Sequence, residues 1–375
     1  MALASDAALE LRSPDDAFMQ VEAWLRERGF FEPGGEELVA DLYLGYGLSQ
    51  SIRRGTTPAP PEPCPELPLA AVSVRSTRPV AAAETAPAST DFVAQSHERF
   101  RVEPWEATWR EDEYRAAVEA VRAAIARGDV YQVNLVQHLS APFSGDAAAL
   151  AGALAPLEPL HPEPFEGDGW TIVSASPELF LARRGRKIWT MPIKGTRPLG
   201  GAEELAASEK DAAEHVMIVD LERNDLSRVC EAGTVRWPEL MAAHELAGVE
   251  HLVSTVEGTL REDVELAEIL EATFPGGSVT GAPKIAAVDI VAELEPVGRG
   301  ASMGALGRVY GNGDFDLALT IRTFAVAEGR IHLWVGGGVV WDSDPDEEVQ
   351  ESWTKARPLL DAIGSRLPRL AAGRR

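Results

Sequence analysis

Basic residues are scarce in this chain: 35 lysines and arginines stand against 59 aspartates and glutamates across 375 residues, a formal net charge of −24. A phosphate backbone is held by basic side chains, so nucleic acid is excluded as a partner. Anionic membrane surfaces are disfavoured on the same ground. An anionic small molecule is not excluded, because a divalent cation or a few arginines can invert the local field. Cysteine is nearly absent as well. Cys64 lies in a Pro-rich run and Cys230 closes an expected helix. Both are expected to stay reduced, as in a cytoplasmic protein, and neither is placed as a nucleophile. No 18-residue apolar run occurs, so no membrane span is expected. The N-terminus lacks the apolar stretch of a signal peptide.

What is present suits a large core: 45% of residues are hydrophobic. Ala17 to Arg28 reads as a short amphipathic helix. Residues 55–97 are rich in Pro, Ala, Thr and Ser and read as an extended connector, with room for one strand at Leu69–Val74. Tyr114, Val118, Val121 and Ile125 recur at helical spacing before Gly128, which predicts a helix over 112–127. Strands are expected at 130–139, 170–173, 179–183, 187–193, 234–237, 257–260, 305–310, 317–326 and 330–341. Further helices are expected at 202–220, 266–273, 282–294 and 345–360. Runs of strands joined by short turns such as Gly311-Asn312-Gly313-Asp314 imply an α+β fold with largely antiparallel sheets. The expected organisation is a short N-terminal subdomain (1–54), the connector (55–97), a catalytic domain (98–365) and a tail (366–375).

Several residues carry chemistry on their own terms. Lys194, in Met191-Pro192-Ile193-Lys194-Gly195-Thr196, stands between an apolar run and a Gly-Thr turn. Desolvation there would lower its pKa and free the amine as a nucleophile. Glu348 and Glu351 are three apart and share a face of the last helix. With Glu214 on an earlier helix they could hold Mg²⁺, a hard cation that takes oxygen ligands. A solvated acidic face, with Lys355 paired to Glu351, is the plainer reading. Arg322 sits in an otherwise apolar strand, where it is costly unless paired, and its planar fork suits a carboxylate. Gly336, Gly337 and Gly338 could present backbone N–H groups to a second carboxylate, or could serve tight sheet packing. Ser278 and Thr280 precede a helix, a position for an anion or for ordinary capping.

Six segments occur in order: Gly128-Asp129-Val130-Tyr131-Gln132-Val133-Asn134-Leu135; Ser176-Pro177-Glu178; the Lys194 segment; Ala213-Glu214-His215 leading to Asp220-Leu221-Glu222-Arg223-Asn224-Asp225-Leu226; Phe274-Pro275-Gly276-Gly277-Ser278-Val279-Thr280-Gly281-Ala282-Pro283-Lys284; and Gly336-Gly337-Gly338 with Asp342-Ser343-Asp344. Together the set resembles the chorismate-utilising enzymes over about residues 98–360. The resemblance implies an α/β sandwich of antiparallel sheets with helices outside and the active site between the sheets. It implies Glu214, Glu348 and Glu351 as Mg²⁺ ligands. It implies Glu178 as the general acid at the departing C4 hydroxyl of chorismate, and His251 beside the ring. It assigns Arg322 to the enolpyruvyl carboxylate.

Within the family, Pro-Ile-Lys-Gly-Thr is typical of the branch that forms 4-amino-4-deoxychorismate. There Lys194 would attack C2 and ammonia would add at C4. Gln132 agrees, because members that add water usually carry lysine at that position. Anthranilate synthase, isochorismate or salicylate synthase, and a silent scaffold subunit are the alternatives. No glutaminase-type Cys-His arrangement is present, so ammonia is expected from a separate glutamine amidotransferase subunit. Ser302 and Arg308 depart from the family pattern, which often has aromatic residues there. The N-terminal region is shorter than in relatives that bind tryptophan, so no tryptophan site is expected.

Overall fold

The computed structural model describes residues 8–75, 99–201, 204, 207–246 and 249–367. The expected tail from 368 and the connector residues 76–98 lie outside the described residues. Two antiparallel sheets organise the rest. The first, of ten strands, runs in the order Ala8–Leu11, Ala70–Arg75, Val39–Leu44, Ala305–Tyr310, Phe315–Leu319, Leu179–Arg184, Lys187–Met191, Val249–Thr259 and Ile193–Pro198, with Arg236–Leu246 also paired to Val249–Thr259. The second, of eight, runs Gly281–Ala282, Gln132–Gly145, Arg330–Val339, Thr323–Ala327, Trp170–Ser174 and Phe165–Gly167. Phe100–Val102 and Glu106–Ala107 pair with its long strand Gln132–Gly145. The strand allowed at 69–74 is present as Ala70–Arg75. It joins a sheet that also holds catalytic-region strands, so the sheet runs across the expected 97/98 boundary.

The central pair of the second sheet, Gln132–Gly145 and Arg330–Val339, is buried over most of its length. Strands covered on both faces read as continuous apolar runs, as Ile331 to Val335 does here apart from His332. The helices Glu111–Arg127 and Pro345–Ala362 pack on this pair and on each other. Glu111–Arg127 buries Tyr114, Val118 and Val121, and Gly128 ends it at φ 82°, a left-handed position that glycine adopts without strain. The start of Pro345–Ala362 is fixed by Asp344, whose carboxylate accepts from the backbone N–H of Asp346 (2.9 Å) and Glu347 (3.2 Å). Pro345 occupies the first turn. That start sets the register that turns Glu348 inward.

Five expected elements differ. The strand expected over 187–193 breaks at Pro192, which has no N–H to give to a ladder, and Lys194 is the second residue of a new strand, not the end of the first. The strand expected over 317–326 is two strands in two different sheets. The chain crosses between them at 320–322, with Arg322 at φ 51°. The helix expected over 202–220 is Glu209–Ser227 among the described residues. It runs through the polar Glu222-Arg223-Asn224-Asp225 because Glu222 and Asp225 are buried against partners. The short strands expected at 234–237 and 257–260 are parts of the longer pair Arg236–Leu246 and Val249–Thr259.

Candidate active site

Lys194 and Glu214 meet at the heart of the candidate site. Lys194 Nζ donates to Glu214 Oε1 at 2.8 Å, and Gln132 Nε2 donates to the same oxygen at 2.8 Å. Each arrives from a different element: Lys194 from strand Ile193–Pro198, Glu214 from helix Glu209–Ser227, Gln132 from the first residue of the long strand. The sequence reading expected burial to lower the Lys194 pKa. The structure reverses the direction. Burial does pull it down, but Glu214, Glu178 and Glu351 together outweigh burial and raise it. Glu214 is lowered in turn: burial opposes ionisation, but the Lys194 ammonium prevails.

The same carboxylate belongs to a second grouping. Gly337 and Gly338 pair with Leu135 and Asn134 in the sheet. A β-carbon on Gly337 would lie 3.2 Å from both Glu348 Oε2 and Glu351 Oε1. One on Gly338 would lie 2.9 Å from Glu214 Oε1 and would overlap the Gln132 amide. The three glutamates therefore converge on a cradle that exists because these residues have no side chains. Glu348 is buried, Glu351 half-exposed, and the neighbouring Glu347 faces solvent. Lys355 pairs with Glu351 at 2.7 Å, as the plainer reading of this helix had it, and also donates to Gly336 O at 2.9 Å. Among the described residues, no three acidic, histidine or cysteine side chains already form a metal-ligand set. The donor chemistry of the cradle, carboxylate oxygen throughout, fits a hard cation such as Mg²⁺ and not a soft one.

Glu178 is buried at the start of strand Leu179–Arg184. Burial raises its pKa, against the opposing pull of the Ser278 hydroxyl, Lys194 and Arg322. Ser278 Oγ donates to Glu178 Oε1 at 2.9 Å, so Ser278 serves the carboxyl and does not cap the following helix. Thr280, two residues on, is fully buried. Among the described residues Arg322 makes no salt bridge. Burial lowers its pKa, and Glu178 is the charge that opposes this. His251 Nδ1 lies 2.9 Å from Gly195 O. Only a protonated Nδ1 can donate to a carbonyl, so Nε2 carries the lone pair in the neutral ring. Burial favours that form.

Sequence reasoning missed four contributors. Ser254 Oγ sits 2.7 Å from His215 Nε2 and holds the helix beside Glu214 to the strand that carries His251. Lys355 was visible only as an i,i+4 partner of Glu351. Glu222 was quoted inside a motif and given no role. Arg299 is fully buried, pairs with Glu295 at 2.8 Å and donates to the carbonyls of Asn134 and Val279, which ties together two of the six segments. Of the family departures, Ser302 is buried against Thr320 O at 3.3 Å, and Arg308 pairs with Glu163 at 2.8 Å.

Two antiparallel sheets thus frame a lysine–glutamate pair, a buried carboxyl and a glycine-floored carboxylate cradle. A family model described as chorismate binding enzyme matches residues 66–361, and the chain belongs to that family. It is 45% identical over 263 residues to anthranilate synthase component 1 of Thermus thermophilus, covering 66% of this chain and 56% of the relative. It is 40% identical over 295 residues to aminodeoxychorismate synthase component 1 of Klebsiella aerogenes, covering 76% and 63%. The solved anthranilate synthase component I of Streptococcus pneumoniae superposes with a TM-score of 0.73 at 27% identity, covering 85% of this chain and 80% of that one. The chain spans less than two thirds of the length of these curated relatives. No helix among the described residues is long and apolar enough to cross a membrane.

Proposed function

We propose that this chain is the synthase component that converts chorismate and ammonia to 4-amino-4-deoxychorismate. The observation that carries the reading is Lys194 on the strand opposite His251, within hydrogen-bond reach of Glu214 and electrostatically coupled to the buried acid Glu178. Lys194, once it has passed on its proton, attacks C2 of chorismate. Glu178 protonates the C4 hydroxyl as it leaves; its raised pKa keeps the proton available near neutral pH. Ammonia then bonds to C4 and the Lys194 amine departs from C2. Arg322, free of protein salt bridges among the described residues, would take a substrate carboxylate as a fork. Gly337 and Gly338 leave room for the carboxylates of Glu348, Glu351 and Glu214 to close on the strand. Glu214, Glu348 and Glu351 would hold Mg²⁺, whose charge would offset that of the ring carboxylate.

Anthranilate formation is the second reading, favoured by the 45% identity to the Thermus thermophilus enzyme. Lys194 argues against it, because an amine already bonded at C2 blocks ammonia there. Ammonia is taken to come from a separate glutamine amidotransferase subunit, since neither buried cysteine has the depressed pKa of a nucleophile. Burial pushes Cys64 up to about 12 and Cys230 up to about 11. The deciding experiment incubates the chain with chorismate, Mg²⁺ and an ammonium salt and identifies the product by chromatography. 4-Amino-4-deoxychorismate supports the reading; anthranilate as the sole product overturns it.

A further inference from the structure

Two lysine ammonium groups stand among the carboxylates of the cradle. Lys194 Nζ is on Glu214 Oε1 at 2.8 Å, and Lys355 Nζ is on Glu351 Oε1 at 2.7 Å. Lys355 is more than the surface partner that its i,i+4 spacing implies. A β-carbon on Gly337 would lie 3.2 Å from Glu348 Oε2, 3.2 Å from Glu351 Oε1 and 3.4 Å from Lys355 Nζ. One point thus lies within contact distance of both helix carboxylates and of the ammonium. Gly336 O accepts from the same Nζ at 2.9 Å and fixes it against the strand. The charge reaches Glu214 as well: burial opposes ionisation there, and Lys355 adds to Lys194 in overcoming it. The two lysines differ in their way out. The Lys355 side chain is 49% exposed and that of Lys194 is 14% exposed. Lys355 can carry its ammonium into water by rotating its flexible stem. Lys194 would have to carry its charge through the protein.

Resting on the proposed Mg²⁺ cradle, we propose that Lys355 is a tethered placeholder for that cation: its ammonium offsets the charge of Glu351, and of Glu348 beside it, until Mg²⁺ is bound, and then leaves Glu351 for water. Carboxylates brought together without a cation repel one another and would push helix Pro345–Ala362 away from strand Arg330–Val339. The ammonium keeps them convergent, so the cradle is formed before the metal is there. The cost falls on affinity, because Glu351 must give up one charged contact before it can make another. No covalent bond forms or breaks in the exchange and no proton moves. Lys194 stays on its own strand, which keeps the two amines in separate roles. Lys355 acts through Glu351 and is a positioning residue.

The test uses the whole chain and Mg²⁺ alone, with wild type, Lys355→Met, Lys355→Arg and Glu348→Gln. By calorimetry Lys355→Met should bind Mg²⁺ about fivefold more tightly, the equivalent of the ~1 kcal/mol that is the upper worth of a half-exposed ion pair. Lys355→Arg keeps the charge and should bind as wild type does; an equal gain there overturns the proposal. Thermal unfolding separates a placeholder from an ordinary structural contact. Without metal, Lys355→Met should melt below wild type, and saturating Mg²⁺ should close the gap. A gap that Mg²⁺ leaves unchanged overturns the proposal. So does an affinity that Glu348→Gln weakens and Lys355→Met leaves unmoved, an outcome in which the cradle still stands. Affinity unmoved in both variants removes the cradle, and the placeholder with it. A crystal structure with Mg²⁺ bound gives the direct view: Lys355 Nζ should lie off Glu351, and an Nζ still on Glu351 beside the bound ion overturns the proposal. None of these readouts depends on which product the chain forms.

Discussion

Lys194 Nζ and Glu214 Oε1 lie 2.8 Å apart in a site that shields both from water. This contact joins the proposed nucleophile to the proposed Mg²⁺ cradle, because Glu214 is the one carboxylate common to both. A buried charge pair is costly to break on one side only, on the order of 3 kcal/mol or more.

Lys194→Ala should therefore do two separable things. Turnover to 4-amino-4-deoxychorismate with ammonium should fall to background, because the proposed nucleophile is gone. Thermal unfolding should also move down, since Glu214 is left buried beside Gln132 alone. Lys194→Met, which keeps the apolar stem, should recover part of the stability and none of the turnover. Wild-type rates in either variant would remove the covalent step.

Replacement of Glu178 tests the acid. Glu178→Gln keeps an acceptor for the Ser278 hydroxyl but has no acidic proton. The expected loss in kcat is about 10²- to 10⁴-fold, the usual contribution of a positioned general acid. KM for chorismate should change little. A loss confined to KM would make Glu178 a binding residue.

The cradle has its own test. Glu214→Gln, Glu348→Gln and Glu351→Gln should each weaken Mg²⁺ binding measured by calorimetry with chorismate present, as each removes a hard anionic donor. Gly337→Ala should do the same without touching a ligand, because its β-carbon would sit 3.2 Å from two carboxylate oxygens. Unchanged affinity in all four would make these carboxylates structural.

Acid should destabilise the fold through a pair far from this chemistry. His138 Nε2 and His332 Nδ1 lie 3.0 Å apart in the buried face of the second sheet. Burial and the neighbouring ring lower His138 to about 3, and burial lowers His332 to about 4. Both fall below the unfolded value near 6.5. The unfolded chain thus binds the extra protons, so the stabilising difference is whole above about pH 6.5 and is lost as pH falls towards 4 and 3. Urea midpoints measured from pH 7.5 to 4.5 should fall, and His332→Gln should flatten the slope. An equal slope in that variant would place the acid sensitivity elsewhere.

How much of this could be read from the sequence depended on whether partners were local. The carboxylates at 348 and 351 were legible because three residues apart on a helix means one face. The strand at 305–310 was legible because nothing interrupts its pattern. The raised pKa of Lys194 was not. Its burial shows in the flanking apolar residues, but Glu214 is 20 positions away on another element, and the partner sets the sign. The break at Arg322 was hidden for a similar reason. Residues on both sides are apolar because both are buried, and the pattern cannot show that they are buried in different sheets. Glu222 looked like one more charge at the end of a helix until its Oε2 was seen to accept from Thr190 Oγ1 at 3.2 Å.

Gln132 carries the last prediction. Its Nε2 donates to the oxygen that also receives Lys194, and its side chain fills the space over Gly338. A lysine there would bring a second ammonium to one carboxylate oxygen. Two cations sharing Glu214 repel each other, and one must leave or give up its proton. Gln132→Lys should therefore lower amination. The displaced amine, once neutral, is also a base that the wild-type amide cannot be, and it can activate water. A trace of hydroxylated product should then appear, while Lys194 still competes for C2. Chromatography of amino and hydroxy products with and without ammonium reads both effects. Wild-type amination with no new product would show that Gln132 does not set the choice between ammonia and water, and the argument against the water-adding alternatives would rest on Lys194 alone.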